Sequence, residues 1–382
     1  MNPNASDKLS TEAIHAGHTI DLTYGAVSMP IILSTTFERG EDGAFVEGRD
    51  VYARASNPNR RTLEIKLAAL EGATDAIAFS SGQAATMSII HSLKPGDHVI
   101  LPDDLYYGTK VILQTLYGRW QLEYDALDLT DLDLVRKSIK PNTKLIWIET
   151  PSNPALKITD IAEVARIGRQ HHIMTVCDNT WASAYFTRPL DLGVDAVMHS
   201  TTKYFGGHSD ITGGCIMTRN QPELTQKIRD FQTLGGAVPS AFDCWLLSRS
   251  LATYSVRMKV HAENAMALAQ YLHLHPKIEK VNYPGLPSDP YHGVASKQMH
   301  GGFGGMLSIL VQGGEAATLK LASSLHMVTH ATSLGGVESL VDHRRSAEGT
   351  HSVSPPNLLR VSVGIEGIDD LIADFEQALE SL

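Results

Sequence analysis

The chain has 382 residues and a mass of 41.5 kDa, and 43% of its residues are hydrophobic, which is enough for about two or three domains with large cores. Its net charge of -10 excludes an overall basic field that would attract nucleic acid or an anionic membrane. Because the first residues lack a signal-peptide plan and no run is apolar enough to span a bilayer, we expect a soluble cytoplasmic protein without nucleic-acid or membrane partners.

Cysteine and histidine usage predicts neither a disulfide framework nor a metal site. The three cysteines, Cys177, Cys215 and Cys244, lie far apart and are odd in number. The 17 histidines include no HExxH or comparable spacing, and the adjacent pair His171 and His172 would point in different directions on a helix.

In chain order, residues 1-60 are rich in turn formers and predict an N-terminal arm that ends in YARASNPNRR. A helix is predicted from Thr62, with Gly72 as its C-terminal stop. Apolar runs and helical stretches then alternate through 61-240, which predicts an α/β domain with a mostly parallel sheet covered on both faces. Residues 241-382 predict a smaller α+β domain.

Polar clusters follow the predicted strands of the larger domain, and these clusters are FSSGQ, PDDLYYG, ETPSNP, CDNTW and HSTTK. Since ligands of such sheets bind beyond the carboxyl ends of the strands, the clusters predict one active site there. In FSSGQAATM, a turn at Gly82 leads into a helix whose free N–H groups suit a phosphate, although a plain capping turn would read the same way.

Other reaction classes lack their motifs. The nearest string to the hydrolase motif GxSxG is GHSDI, which has Ile211 in place of the second glycine. No strand end supplies the GxGxxG of a dinucleotide site.

Asp178 and Lys203 end neighbouring predicted strands. A buried carboxylate at Asp178 needs a cation nearby, and proteins ordinarily supply one through a structural salt bridge. Lys203, in HSTTKYFGGHSD, would have a lowered pKa in an apolar pocket and act as a nucleophile, whereas an average lysine is a solvated charge. A lysine, an acid and a phosphate cradle together predict pyridoxal phosphate, which needs an amine for its Schiff base and an acid at its ring nitrogen.

From about Thr11 to the C-terminus the sequence resembles the cystathionine gamma-synthase, gamma-lyase and beta-lyase family of pyridoxal-phosphate enzymes. The motifs that carry the resemblance are YARASNP, FSSGQAA, DDLYYGT, ETPSNP, DNTWAS, HSTTKYFGGHSD, SLGGVESL and LLRVSVGIE. The resemblance implies the aspartate-aminotransferase fold, called fold type I, and a homotetramer built from dimers that share their active sites.

Site roles also come from the resemblance. It implies that Lys203 binds the cofactor covalently, that Asp178 pairs with the ring nitrogen, and that Tyr106 stacks on the ring and serves as a second acid or base or only packs there. Asn153 would lie near the ring hydroxyl, and Arg360 would bind the substrate α-carboxylate with help from Ser333. The phosphate would contact Ser81, Gly82, Gln83, Ser200 and Thr202, together with Tyr52 and Arg54 of the neighbouring subunit.

Two departures from the family pattern concern the substrate. Thr332 stands where synthases and gamma-lyases commonly carry a glutamate for the distal amino group of cystathionine, which weakens the case for that substrate. The stretch HRRSAEGTH replaces HPASMTH, so that Arg344, Arg345 and Glu348 either alter the charge near the site or form a solvated surface pair.

The resemblance implies γ-elimination or γ-replacement on sulfur-containing or γ-substituted amino acids. The alternatives are O-acylhomoserine sulfhydrylase, methionine gamma-lyase and cystathionine beta-lyase activity, and after these an aminotransferase or a regulatory member with little turnover.

Overall fold

The computed structural model describes residues 5–349, 352 and 354–382. In that part of the chain, the larger sheet has the strand order β1-β7-β6-β5-β4-β2-β3. Its strands are β1 (Asp75–Phe79), β2 (His98–Pro102), β3 (Glu123–Leu127), β4 (Thr143–Glu149), β5 (Met174–Asp178), β6 (Ala196–His199) and β7 (Gly214–Thr218). Strand β7 is antiparallel to β1 and β6, whereas the other pairs are parallel, which confirms the mostly parallel sheet.

A smaller sheet lies in the C-terminal part of the chain. Its strands are β8 (Ile278–Asn282), β9 (Met306–Val311), β10 (Thr329–His330), β11 (Leu340–Asp342) and β12 (Leu358–Ser362). Their order is β10-β11-β12-β9-β8, and only the β10–β11 pair of this sheet is parallel among the described residues. The division of the chain at residues 60 and 240 stays a prediction.

The α-helices in the described ranges are α1 (Ala5–His15), α2 (Pro58–Glu71), α3 (Gly82–His91), α4 (Tyr107–Val111), α5 (Leu132–Lys137), α6 (Ile161–His171), α7 (Ser183–Phe186), α8 (Pro222–Gly235), α9 (Ala241–Leu251), α10 (Tyr254–Leu274), α11 (His292–Gln298), α12 (Gly314–Ser324), α13 (Arg344–Glu348) and α14 (Ile368–Glu380). A π-helical turn (Ile112–Leu116) and two 3-10 turns (Gly118–Trp120 and Pro189–Leu192) complete the helical segments. Among the described helices, none combines the length and the apolarity that crossing a membrane requires.

Two helices differ from the sequence-based expectation. Helix α2 begins at Pro58 and not at Thr62, because the Asn57 side chain accepts hydrogen bonds from the Asn59 and Arg60 N–H groups and proline suits the first helical position. It ends as predicted, at Gly72 with a φ of 66°. Helix α1 lies within the arm, where no helix was predicted.

The larger sheet is buried on both faces. Along β4, Ile146 and Ile148 contribute to one apolar core, whereas Leu145 and Trp147 contribute to the core on the opposite face. A third apolar core covers the smaller sheet, where α10 and α12 pack on its strands and α14 packs against these two helices. The parallel strands therefore present their carboxyl ends, with the polar clusters, at one shared edge.

Candidate active site

Lys203 lies in the loop after β6, and its amine is largely shielded from water. Its Nζ donates a hydrogen bond to Ser333 Oγ at 2.7 Å. Burial lowers the pKa of Lys203 to about 8, and the positive charges of Arg360 and Arg344 contribute to the same shift. Within 4.0 Å, no carboxylate of the described residues pairs with this amine. The neutral, nucleophilic form is therefore well populated near neutral pH.

Ser333 connects the lysine to Arg360. Its φ is 93°, a backbone conformation that residues other than glycine rarely adopt. The Ser333 hydroxyl accepts from Lys203, while its carbonyl oxygen accepts from Arg360 Nη2 at 3.1 Å. One residue thus engages both cations, and its fixed backbone holds them at a set separation.

Arg360 lies on β12 and is only 3% exposed. Its Nη1 donates to Asn153 Oδ1 at 3.1 Å, and its Nη2 donates to Asp342 Oδ2 at 2.9 Å. Burial lowers the pKa of Arg360 to about 10, with a smaller contribution from the charge of Arg344. The guanidinium group stays charged at neutral pH and is suited to bind a carboxylate.

Asp178 ends β5 and is buried. Its Oδ1 accepts hydrogen bonds from the backbone N–H of Thr180 at 3.0 Å and from the Thr180 hydroxyl at 2.5 Å. Burial raises the pKa of this carboxyl above its ordinary value. No lysine, arginine or histidine of the described chain forms an ion pair with it within 4.0 Å, so the ordinary structural salt bridge is not present.

Glu149 ends β4 and lies opposite Asp178 in the strand register. Both Glu149 carboxylate oxygens accept from the Tyr106 backbone N–H, at 2.9 and 3.1 Å. Burial raises the pKa of Glu149 well above its ordinary value, and the nearby Asp178 charge raises it further. Two buried acids therefore lie side by side, and both burial and the neighbouring Asp178 charge favour the neutral form of Glu149.

A candidate phosphate cradle forms where α3 begins. The Ser81 Oγ caps the helix by accepting from the Ala84 N–H at 3.1 Å. A Cβ added to Gly82 would lie 3.0 Å from Ser200 Oγ, which shows how closely the two residues approach. Thr202 Oγ1 accepts from the Gly213 N–H at 3.0 Å and donates to its carbonyl at 3.2 Å. The N–H groups at the start of α3 and the Ser200 hydroxyl thus lie close together, as an anion site requires.

Tyr106 and Gln83 meet beside Gly108. A Cβ on Gly108 would lie 2.3 Å from Gln83 Nε2 and 2.4 Å from the Tyr106 ring, so only glycine leaves room for both side chains. The Tyr106 side chain is 45% exposed in the single chain. Its ring therefore presents an accessible face next to the cradle.

Other predicted site residues lie at the periphery of the single chain. Tyr52 is 47% exposed, and Arg54 Nη1 donates to the Thr233 carbonyl oxygen at 2.7 Å. Thr332 is exposed.

The two arginines of HRRSAEGTH differ in their surroundings. Arg344 is buried with ion pairs to Asp342 and Glu348, whereas Arg345 is exposed. The interpretation as a solvated surface pair is therefore wrong for Arg344, because its partners lie inside the fold.

The residues fit pyridoxal phosphate. Lys203 supplies an amine of lowered pKa, and Asp178 supplies a buried acid that no cation neutralises within 4.0 Å in the described ranges. Gly82, Ser200 and the start of α3 form a cradle that a Cβ would fill. Amine, acid and anion cradle all lie at the same edge of the sheet, as this cofactor needs.

Three contributors were missed from the sequence. Glu149 and Thr180 stand in ETPSNP and CDNTW directly after strands, and this position was the signal that could have found them. Asp342 ends β11, and no motif marked it. The described residues contain no group of three or more His, Cys, Asp or Glu side chains placed to hold a metal ion.

Comparisons with known proteins extend this assignment. The family model described as "Cys/Met metabolism PLP-dependent enzyme" matches residues 10–380. The chain is 46% identical over 376 residues to the cystathionine gamma-synthase of Mycobacterium tuberculosis, which covers 97% of this chain and 96% of the relative. It is 43% identical over 383 residues to the cystathionine gamma-lyase of Dictyostelium discoideum, which covers 98% of each chain. The crystal structure of metB from Corynebacterium glutamicum superimposes with a TM-score of 0.95 at 45% identity and 100% coverage of both chains.

These matches span nearly the whole chain, so they confirm the predicted fold class and the predicted cofactor. The chain belongs to the Cys/Met metabolism family of enzymes that use pyridoxal phosphate.

Proposed function

We propose that the enzyme catalyses γ-elimination or γ-replacement on a sulfur-containing or γ-substituted amino acid, with Lys203 as the proton-moving amine. The observation that carries the proposal is the contact of Ser333 with both Lys203 and Arg360. It places an amine that is readily neutral beside a buried guanidinium group, which is the pairing needed to bind an α-amino acid and act on its Cα proton.

Each residue has a distinct task in this proposal. Arg360 binds and orients the substrate α-carboxylate, and Asn153 holds the guanidinium group in place at 3.1 Å. Pyridoxal phosphate, when bound, supplies a sink for the electrons released at Cα. Lys203 removes the Cα proton and returns a proton to the substrate carbon chain. Asp178 keeps a proton on the ring nitrogen, and Tyr106 serves as a second acid or base beside the ring.

The phosphate contacts are part of the proposal. Ser81, Gly82 and Gln83 would hold the anion at the start of α3, and the hydroxyls of Ser200 and Thr202 would add donors. The close approach of Gly82 to Ser200 supports this grouping.

We propose a homotetramer in which Tyr52 and Arg54 complete the site of a neighbouring subunit. Large apolar side chains of the arm are exposed in the single chain, which supports a covering partner. These are Ile20, Leu22, Tyr24, Val27, Leu33 and Phe45. The cytoplasmic location stays a prediction from the sequence.

Thr332 bears on the choice of substrate. Its side chain is exposed next to Ser333, whose hydroxyl contacts Lys203, so the residue stands close to the reacting atoms. Threonine carries no charge for a distal ammonium group. We therefore propose that the substrate needs no carboxylate partner at its far end.

Incubation with cystathionine, methionine, homocysteine and O-acyl homoserines, followed by product identification, tests the proposal. Release of a γ substituent with Lys203-dependent turnover is the expected result. Cleavage of only Cβ–S bonds would indicate a beta-lyase, and a keto acid without ammonia would indicate an aminotransferase. No turnover of any amino acid would indicate a regulatory member. Thr332→Glu should increase cystathionine use, and no gain would refute the argument on Thr332.

A further inference from the structure

A chain of four alternating charges extends from the substrate-binding arginine into the fold. Asp342 Oδ2 accepts from Arg360 Nη2 and from Arg344 Nη1, both at 2.9 Å. Arg344 Nη2 donates in turn to Glu348 Oε1 at 2.5 Å. A single carboxylate oxygen thus bridges two guanidinium groups.

All four side chains are nearly buried. The side chains alone have exposed fractions of 4% for Arg360, 6% for Asp342, 9% for Arg344 and 11% for Glu348. Buried charges are costly unless each is compensated, and a chain of two cations and two anions is neutral as a whole. Removal of one of these four charged side chains would therefore leave a net charge on the other three.

Without Arg344, Asp342 would have Arg360 as its sole cationic partner in the described part of the chain. Asp342 would then neutralise the guanidinium group and compete with an incoming carboxylate for it. The hydrogen bonds to Asn153, Ser333 and Asp342 use three of the five N–H donors of Arg360. No other described residue accepts from the remaining two donors, so they can bind a substrate.

We propose that Arg344 is a positioning residue for substrate binding: by sharing Asp342 it leaves the positive charge of Arg360 available to the substrate α-carboxylate. The inference rests on the proposed role of Arg360. It concerns affinity for the carboxylate, because Arg344 acts on Arg360 through Asp342. The charge of Arg344 also lowers the pKa of Lys203, but that effect would be shared by ligands with and without a carboxylate.

A second role of Arg344 would be to anchor α13. Arg344 pairs with Glu348, and Glu348 Oε2 in turn accepts a hydrogen bond from Ser352 Oγ at 2.8 Å. Because Arg344 holds Glu348 in place, its loss would also loosen the contact with Ser352. An anchor alone would change stability, and it would not discriminate between ligands with and without a carboxylate.

The test uses the holoenzyme and two unreactive probes, L-norvaline and n-butylamine, which differ only by the carboxylate. Binding is followed by the absorbance of the bound cofactor, independently of turnover. Arg344→Gln should weaken norvaline binding about 10-fold and leave butylamine binding within about 2-fold. Equal weakening of both probes, or of neither, would overturn the inference.

Rescue and control variants sharpen this test. Arg344→Gln combined with Asp342→Asn removes both opposite charges and should recover norvaline affinity to within about 3-fold. Arg344→Lys replaces the two nitrogens that contact Asp342 and Glu348 with one, but it keeps the positive charge beside Asp342 and should stay within about 3-fold of the parent even if Arg344→Gln fails to fold. A 10-fold loss in either variant would contradict charge sharing. The exposed neighbour offers the matched control, Arg345→Gln, which should bind both probes normally.

Arg360→Gln separates this inference from the proposed function. If it leaves norvaline binding unchanged, the assignment of Arg360 to the α-carboxylate is wrong and the inference falls with it. If Arg360→Gln weakens norvaline alone but Arg344→Gln does not, only the role of Arg344 is refuted.

Discussion

The amine of Lys203 should titrate far below an ordinary lysine in the cofactor-free protein. Its pKa is lowered to about 8, mainly by burial. At pH 7.5, an amine with that pKa is roughly one quarter neutral, whereas an ordinary lysine with a pKa of about 10.4 is neutral in roughly one molecule in a thousand. We therefore expect an advantage of roughly 200-fold in the reactive form of Lys203 at this pH.

Competitive labelling measures this difference directly. Trace acetic anhydride is added between pH 6 and pH 10, and mass spectrometry quantifies acetylation at each lysine. Lys259, with a side chain 67% exposed, serves as the internal reference. The labelling of Lys203 should reach half of its maximum near pH 8. Coincident curves for Lys203 and Lys259 would refute the claim that burial activates the amine.

Arg360→Gln extends the same assay. Since Arg360 lowers the pKa of Lys203 by charge repulsion, its loss should move the Lys203 midpoint upward. The midpoint should stay below the ordinary lysine value, because burial is the larger cause. A downward shift would show that the sign of the interaction is wrong.

Three further predictions concern the acids and the cradle. Asp178→Asn should retain cofactor absorbance but reduce kcat at least about 100-fold, because the amide cannot hold a proton on the ring nitrogen. Glu149→Gln should keep kcat within about 5-fold, because burial raises the pKa of this carboxyl and favours its neutral form, which an amide resembles, whereas a loss of about 100-fold would show a required negative charge. Gly214→Ala places a Cβ 2.5 Å from the Ser81 carbonyl oxygen and should cost roughly 1–3 kcal/mol together with cofactor content, measured by thermal unfolding and absorbance. Gly235→Ala, which meets nothing within 4 Å, is the control.

The sequence predicts the strand ends well because each is a local signal. An apolar run followed by polar residues marks β5 before Asp178 and β6 before Lys203, and the parallel arrangement then brings both residues to one edge. The phosphate cradle is equally local, since the turn at Gly82 leads directly into α3.

The contacts of Lys203 could not be derived from local pattern. Its partner Ser333 lies 130 positions away, and its conformation at a φ of 93° has no signature in a serine. The burial of Arg344 could not be derived from local pattern either. An arginine in a polar stretch is ordinarily solvated, and only the pairing of β11 with β12 places Asp342 between Arg344 and Arg360.

Among the described residues, Lys203 and Asp178 each form a side-chain hydrogen bond with a hydroxyl group and not with each other. The Ser333 hydroxyl accepts a hydrogen bond from Lys203. The acids Asp178 and Glu149 lie beside each other at the ends of β5 and β4. Thr180, which donates to Asp178, provides hydrogen bonding without neutralising the charge. A salt bridge between Lys203 and either acid would raise the pKa of the amine and remove the nucleophile. In the proposed function, the protonated ring nitrogen of the cofactor would be the cation that pairs with Asp178, and Lys203 would keep its lowered pKa.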